Sequence, residues 1–354
     1  MVYLKNIYIL GTPNSGKTSI ALGLALKLRQ EGRKVAYFKP VGSYAGSTSF
    51  RGDEDALLMK EILEMEHPLE TIVPYIAGPS YLSSHSDPSV SLNKVRRAYE
   101  SIAGNSDIII IGSAGYPHIM GSLGLDAMSL ALELQAMPLY IIRIDNDYSL
   151  DQTIFINRYM SCNDTPVFGN IFYNVPRSLL AKTEGIYKPT LQRLGYRILG
   201  LVPGMPDITS PTVKEYYEVL GGEVLAGEDR MEQIVEDIVI GAMTAESALD
   251  YLRRGANKGV ITGGDRSEIA LAALETNTSM IVLTGSLYPD VKLIARAEGQ
   301  GVPLILVHYD TYTTIEKMSA VSRKITAGDK KAIKTAVDNI DQYVEWKGIL
   351  NALQ

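Results

Sequence analysis

Gly11-Thr12-Pro13-Asn14-Ser15-Gly16-Lys17-Thr18 decides how this chain is read. A β-rich run, Lys5 to Leu10, leads into it, and an Ala/Leu-rich segment of helical character follows. Glycine, four residues, then glycine-lysine-threonine is the spacing of a phosphate-binding loop, and strand before with helix after is the setting that loop requires. The glycines let the backbone aim N–H groups at phosphate oxygens, and the helix N-terminus adds partial positive charge. Lys17 neutralises terminal phosphates, and the Thr18 hydroxyl suits Mg²⁺. Gly11, Thr12, Asn14, Ser15, Gly16, Lys17, Thr18 and Ser19 are therefore expected to hold ATP, with Thr18 on the metal.

The pattern continues outward from the loop. Strands are expected near residues 4–10, 34–38, 107–111, 139–144, 167–173 and 197–202, and helices near 17–31, 54–65, 123–136 and 148–160. Short apolar runs without strict polar alternation, separated by helices, predict an α/β fold with a mostly parallel sheet covered on both faces. Ligands of such sheets collect at the carboxyl ends of the strands, where the second strand delivers Lys39 in Phe38-Lys39-Pro40-Val41. The stretch Val202 to Pro211, rich in proline, breaks the pattern. A smaller α/β series follows: strand 235–240, helix 244–253, strand 258–262, helix 266–275, strand 279–284, helix 289–298 and strand 303–307, then a helical end from Asp329. The expected organisation is a nucleotide-binding domain over 1–205, a linker over 206–212, a second domain over 213–320 and a helical tail over 321–354.

Composition agrees with a folded chain and narrows its partners. Of 354 residues, 46% are apolar and 21% charged, and 34 Lys plus Arg against 40 Asp plus Glu give 34 − 40 = −6. That balance, with no basic stripe interleaved with aromatics, argues against a nucleic-acid surface. The single Cys162 excludes an internal disulfide, and the apolar runs fall far short of the roughly 20 residues a membrane helix needs. The expected setting is cytoplasmic, with no membrane partner.

The loop, then Lys39-Pro40-Val41, Asp55 in Asp53-Glu54-Asp55, Asn174 in Phe172-Tyr173-Asn174-Val175, and Leu199-Gly200-Leu201-Val202-Pro203 together resemble dethiobiotin synthetase. The resemblance implies a P-loop NTPase-type fold in which Lys17 and Lys39 hold phosphates and substrate carbamate. It likewise implies that Asp55 joins Thr18 on Mg²⁺ and that Asn174 reads adenine. The two lysines are then the candidates for catalysis. One position departs: Gly112, in Ile108-Ile109-Ile110-Ile111-Gly112-Ser113-Ala114-Gly115, stands where that family has an acidic metal ligand. The departure predicts slow or undetectable ATP hydrolysis.

In the second half, Thr262-Gly263-Gly264-Asp265-Arg266, Thr284-Gly285-Ser286 and Asp310-Thr311-Tyr312 resemble the DRTGG domain. The pairing resembles the amino-terminal region of long phosphotransacetylases, whose catalytic domain comes afterwards; with 354 − 318 = 36 residues after Met318, a stand-alone version of that region is expected. The implied function is an ATP-binding regulatory or sensory module. The alternative is an ATP-dependent ligase or carboxylase working through a phosphorylated intermediate. Gly263-Gly264 before a helix, with Arg266 beside it, could present N–H groups to an anionic small-molecule effector at the DRTGG-like domain, although a tight strand-to-helix turn with Asp265 as cap and Arg266 paired to a carboxylate is the commoner use of such residues. Association into a homo-oligomer is expected through that second domain.

Overall fold

The computed structural model describes residues 6–43, 53–83, 87–241, 249, 251–253 and 255–353. The chain forms two compact units: residues Met1–Gly204 together with Ile325–Gln354, and residues Met205–Lys324.

In the first unit the strands are β1 (Asn6–Gly11), β2 (Val35–Phe38), β3 (Val41–Ser43), β4 (Tyr75–Ala77), β5 (Ile108–Gly112), β6 (Ala136–Ile142), β7 (Gly169–Val175) and β8 (Ile198–Pro203). Six of them form one parallel sheet in the order β2-β5-β1-β6-β7-β8, and β3 pairs with β4 beside it. All of β1, β5 and β6 is buried, which is why their sequences read as unbroken apolar runs. The chain leaves β1 on one side for β2 and β5, and on the other for β6, β7 and β8. Connections part at the carboxyl end of β1, and the crevice such a parting creates is where the Gly11–Thr18 loop lies.

Helices α1 (Lys17–Gln30), α2 (Glu54–Ile62), α3 (Pro88–Ala103), α4 (Ala127–Glu133) and α5 (Asp147–Ser161) fill the connections. α4 is shorter than the helix expected near 123–136, because Gly124 turns left-handed at φ 65° and Asp126 caps the N–H groups of Met128 and Ser129. α3 escaped the periodicity because it buries only Ser91, Val95 and Ile102, although Asp87 as cap and Pro88 in the first turn announce its start.

The second unit begins with α6 (Val213–Leu220), opened by a capping box: Thr212 Oγ1 accepts from the Glu215 N–H, and Glu215 Oε2 accepts from the Thr212 N–H at 2.7 Å. Its strands are β9 (Glu223–Ala226), β10 (Asp237–Ile240), β11 (Lys258–Gly263), β12 (Thr278–Thr284) and β13 (Leu304–Leu306), in the order β10-β11-β12-β13-β9 with only β9 antiparallel. Alternate residues of β12 serve opposite faces. Ile281 and Leu283 pack with α7 (Ser267–Leu274) and α8 (Val291–Gln300), while Met280 and Val282 pack with α6 and α9 (Thr311–Ser319). The helix expected over 244–253 lies largely outside the described residues.

The last two helices, α10 (Lys330–Tyr343) and α11 (Trp346–Ala352), belong to the first unit. α10 buries Ala332, Ala336 and Ile340, one face at spacing four, and lies along α1. Contact is so close at Gly23 that a Cβ there would overlap the Ala336 carbonyl. Lys27 of α1 pairs with Asp341 at 2.6 Å, and its ammonium sits 4.9 Å from the Trp346 ring centroid. Val344 bridges Gly200, and the Glu345 N–H donates to the Leu199 carbonyl at 2.7 Å, so this segment also covers the edge strand β8. The sequence predicts a separate helical tail over 321–354, whereas these helices pack as part of the first unit. Among the described residues, no helix is long and apolar enough to cross a membrane.

Candidate functional site

β1 ends at Gly11, where a Cβ would fall 2.5 Å from Ser15 Oγ and 2.8 Å from the Ile141 carbonyl oxygen of β6. Close approach of neighbouring backbone explains that glycine. Gly16 has φ 89°, a conformation side chains rarely adopt, and the Tyr173 ring of β7 fills the space a side chain would need. The loop is therefore held from both neighbouring strands. Ser15, only 1% exposed, has no hydrogen-bond partner for its Oγ among the described residues. An orphaned hydroxyl inside a phosphate loop fits an anion.

Lys17 curls back on the loop: its Nζ donates to the Thr12 carbonyl at 2.7 Å and to the Gly11 carbonyl at 3.4 Å. Burial pulls its amine down to about 8, with Asp55 working against the fall and Lys39 adding to it.

Thr18, Asp55, Lys39 and Asp53 form one connected chain. Thr18 Oγ1 donates to Asp55 Oδ1 at 2.7 Å, and Lys39 Nζ lies 2.6 Å from Asp55 Oδ2 and 2.8 Å from Asp53 Oδ2. Lys39 and Asp53 are each 2% exposed, whereas Asp55 is 37% exposed and is the solvent-reaching member of the chain. Burial alone would lower the Lys39 amine, but the charges of Asp55 and Asp53 hold it well above the ordinary lysine range. Burial likewise works against an ionised Asp55, and the Lys39 charge together with the hydrogen bonds from Lys39 and Thr18 outweighs it, keeping the carboxyl below the usual range. Asp53 also accepts from the Ser43 and Ala56 N–H groups, which ties β3 to the start of α2. Sequence reasoning passed over Asp53, although an aspartate directly before a helix is a cap signal.

Gly112 ends β5 beside β2, and the Tyr37 hydroxyl occupies the place where its Cβ would be. Burial pushes the Tyr37 phenol far up, so it stays protonated. The oxygen next to the missing carboxylate is thus a neutral one. For Mg²⁺ the donors present are the Thr18 hydroxyl and the Asp55 carboxylate, hard oxygens that fit an ion held chiefly by nucleotide phosphates. No group of three or more His, Cys, Asp or Glu gathers for a metal among the described residues.

Ser19, expected at the nucleotide, is buried in the first turn of α1. Asn174 follows Tyr173 at the end of β7 with φ 55°, half-buried, its Oδ1 2.8 Å from where a Cβ on Gly204 would sit. The strand brings it to the loop's edge of the sheet, but no hydrogen bond joins it to the loop among the described residues.

In the second unit Gly264 serves close packing, since a Cβ there would overlap the Leu287 carbonyl oxygen and its N–H donates to the Thr284 carbonyl at 3.2 Å. Arg266 Nη1 reaches the Gly241 carbonyl at 3.5 Å, and the Thr284 and Thr311 hydroxyls meet at 3.0 Å.

Comparison with known proteins matches these units to two families. A profile described as AAA domain matches residues 5–212, and one described as DRTGG domain matches residues 215–321. The chain is 24% identical over 348 residues to a phosphate acetyltransferase of Pseudomonas putida, covering 93% of this chain and 49% of that protein. It is 28% identical over 232 residues to an ATP-dependent dethiobiotin synthetase of Clostridium perfringens, covering 62% of this chain and 99% of that one. The chain spans about half the length of the phosphate acetyltransferases it matches. Among solved structures, it is similar to the CBS and DRTGG domains of the regulatory region of Clostridium perfringens pyrophosphatase complexed with the activator diadenosine tetraphosphate. That likeness has 15% identity and a TM-score of 0.28, over 48% of this chain and 85% of that one.

Proposed function

We propose that this chain, which belongs to the AAA-domain family through residues 5–212, is a cytoplasmic nucleotide-binding regulatory or sensory module that takes ATP at the Gly11–Thr18 loop. The phosphates meet the loop amides, the Ser15 hydroxyl and Lys17, which exchanges the Thr12 carbonyl for a phosphate oxygen. Thr18 and Asp55 would hold Mg²⁺, which supplies charge neutralisation on the phosphates. Asn174 is the residue at this edge suited to a purine, offering both donor and acceptor.

The observation that carries the regulatory reading is Gly112 with Tyr37 in its side-chain space. A site with one metal-facing carboxylate, already paired to Lys39, supports holding a nucleotide better than transferring its phosphoryl group. The ligase alternative needs Lys39 free to meet an acyl or carbamoyl oxygen, and two aspartates occupy that amine. The DRTGG unit is the place for an effector, with Arg266 rather than the Gly264 amide as anion contact, and for association between copies. Calorimetric titration with ATP and ADP, with and without Mg²⁺, followed by phosphate release on the same sample, tests this reading. Micromolar or tighter binding with negligible release supports it, and rapid turnover of ATP would replace it with the ligase.

A further inference from the structure

Helix α5 carries large apolar side chains on the face that its own unit leaves uncovered. Its inner face is buried through Leu150, Thr153, Asn157 and Met160. On the opposite face Tyr148 is 81% exposed, Phe155 65% and Tyr159 46%. With Gln152 between them and Cys162 at the end, all five exposed, they fall at intervals of four, three, four and three residues. That alternation keeps one stripe of a helix facing a second helix along its whole length, about 22 Å for 15 residues. The Phe155 and Tyr159 rings lie near parallel with centroids 6.3 Å apart, so the stripe is one apolar patch rather than scattered single residues.

Charge decides what such a stripe can meet. Asp151 and Arg158, both exposed and seven residues apart, border it on one side, and neither side chain has an ion pair or hydrogen bond among the described residues. When a second α5 runs antiparallel to the first about a twofold axis at Phe155, each Asp151 comes level with Arg158 of the second copy, twice over. The same rotation sets Phe155 on Phe155, Tyr148 against Cys162 and Gln152 against Tyr159 of the second copy. A parallel pairing sets each residue level with itself and forms neither ion pair.

We propose that α5 is an isologous interface between two copies of this chain, packed antiparallel about Phe155, with Asp151 paired to Arg158 of the second copy. It belongs to the first unit, so it adds to association through the DRTGG unit and is independent of what the loop binds.

The test uses the full chain. Sedimentation equilibrium at micromolar concentration is expected to find Phe155→Asp in assemblies of half the wild-type mass. Asp151→Arg should weaken the association about tenfold, Arg158→Asp likewise, and the two together should restore it to within about threefold of the wild type. Disulfide trapping with a mild oxidant fixes the direction. Phe155→Cys in a Cys162→Ser background, and Tyr148→Cys with Cys162 kept, should each give covalent pairs, whereas Tyr148→Cys with Cys162→Ser should give none. A monomeric wild type, or a Phe155→Asp variant of unchanged mass, overturns the interface and leaves the stripe to a different partner. No rescue in the double charge variant, or trapping of Tyr148→Cys with Cys162→Ser, overturns the antiparallel pairing.

Discussion

The Tyr37 hydroxyl stands in the space that a side chain on Gly112 would fill, so the two positions, on adjacent parallel strands, form a single packing unit. A side chain can enter at 112 only if the phenol shifts. Gly112→Glu alone is expected to destabilise the protein by about 1–3 kcal/mol through overpacking, and Gly112→Glu with Tyr37→Ser to recover much of that loss. Thermal unfolding of the three proteins decides it, since a single variant as stable as the wild type would mean that Tyr37 moves aside freely.

Lys17→Ala should weaken ATP binding by tenfold or more, about 1.4 kcal/mol, while leaving the unfolding midpoint near that of the wild type. Titration of both proteins checks it, and equal affinities would remove Lys17 from the site.

Because the unliganded Lys17 amine sits at about 8, pH should act on binding within an accessible range. Below that value the ammonium attracts phosphate; above it the amine is neutral, and binding must first take up a proton. ATP affinity is expected to hold from pH 6.5 to 7.5 and to fall towards tenfold per pH unit above about 8.5. A flat profile to pH 9.5 in calorimetry would contradict this.

Lys39→Met would leave the buried Asp53 beside Asp55 without their common cation, at a cost of about 3–5 kcal/mol. The Asp55 carboxyl lies below its unfolded value, so its contribution is present above the ordinary carboxylate range and is lost as pH falls through the lower, folded value. Denaturant unfolding between pH 7 and 3 should show wild-type stability dropping towards that of Lys39→Met at the acid end. Parallel curves for the two proteins would mean the pair contributes nothing.

Much of the site was legible in sequence because it is local. The loop, its strand and its helix are contiguous, and Lys39 and Asp55 fall at ends of elements whose periodicity is plain, so the structure's Thr18–Asp55–Lys39 chain joins residues already singled out. Tyr37 against Gly112 and Tyr173 against Gly16 were not legible, because each is a contact between strands or a strand and a loop far apart in the chain. Gly264 reads in sequence either as an anion cradle or, more commonly, as a tight turn, and the structure gives its N–H to Thr284 and its empty side to Leu287. A glycine required by neighbouring backbone and one required by a ligand look the same in a string of letters. The antiparallel β9 was missed since four residues, two of them half-buried, leave too little pattern to read.

α10 comes about 300 residues after α1 in the chain, yet packs along it. A nascent chain on the ribosome therefore displays Gly23 and Lys27 without their α10 partners until more than 300 further residues have been added. At elongation rates of about 5–20 residues per second, that interval lasts roughly 15 to 60 seconds. During it the second unit can fold to completion as an insertion within an unfinished first one, with the side of α1 that α10 covers left open until the closing helix arrives.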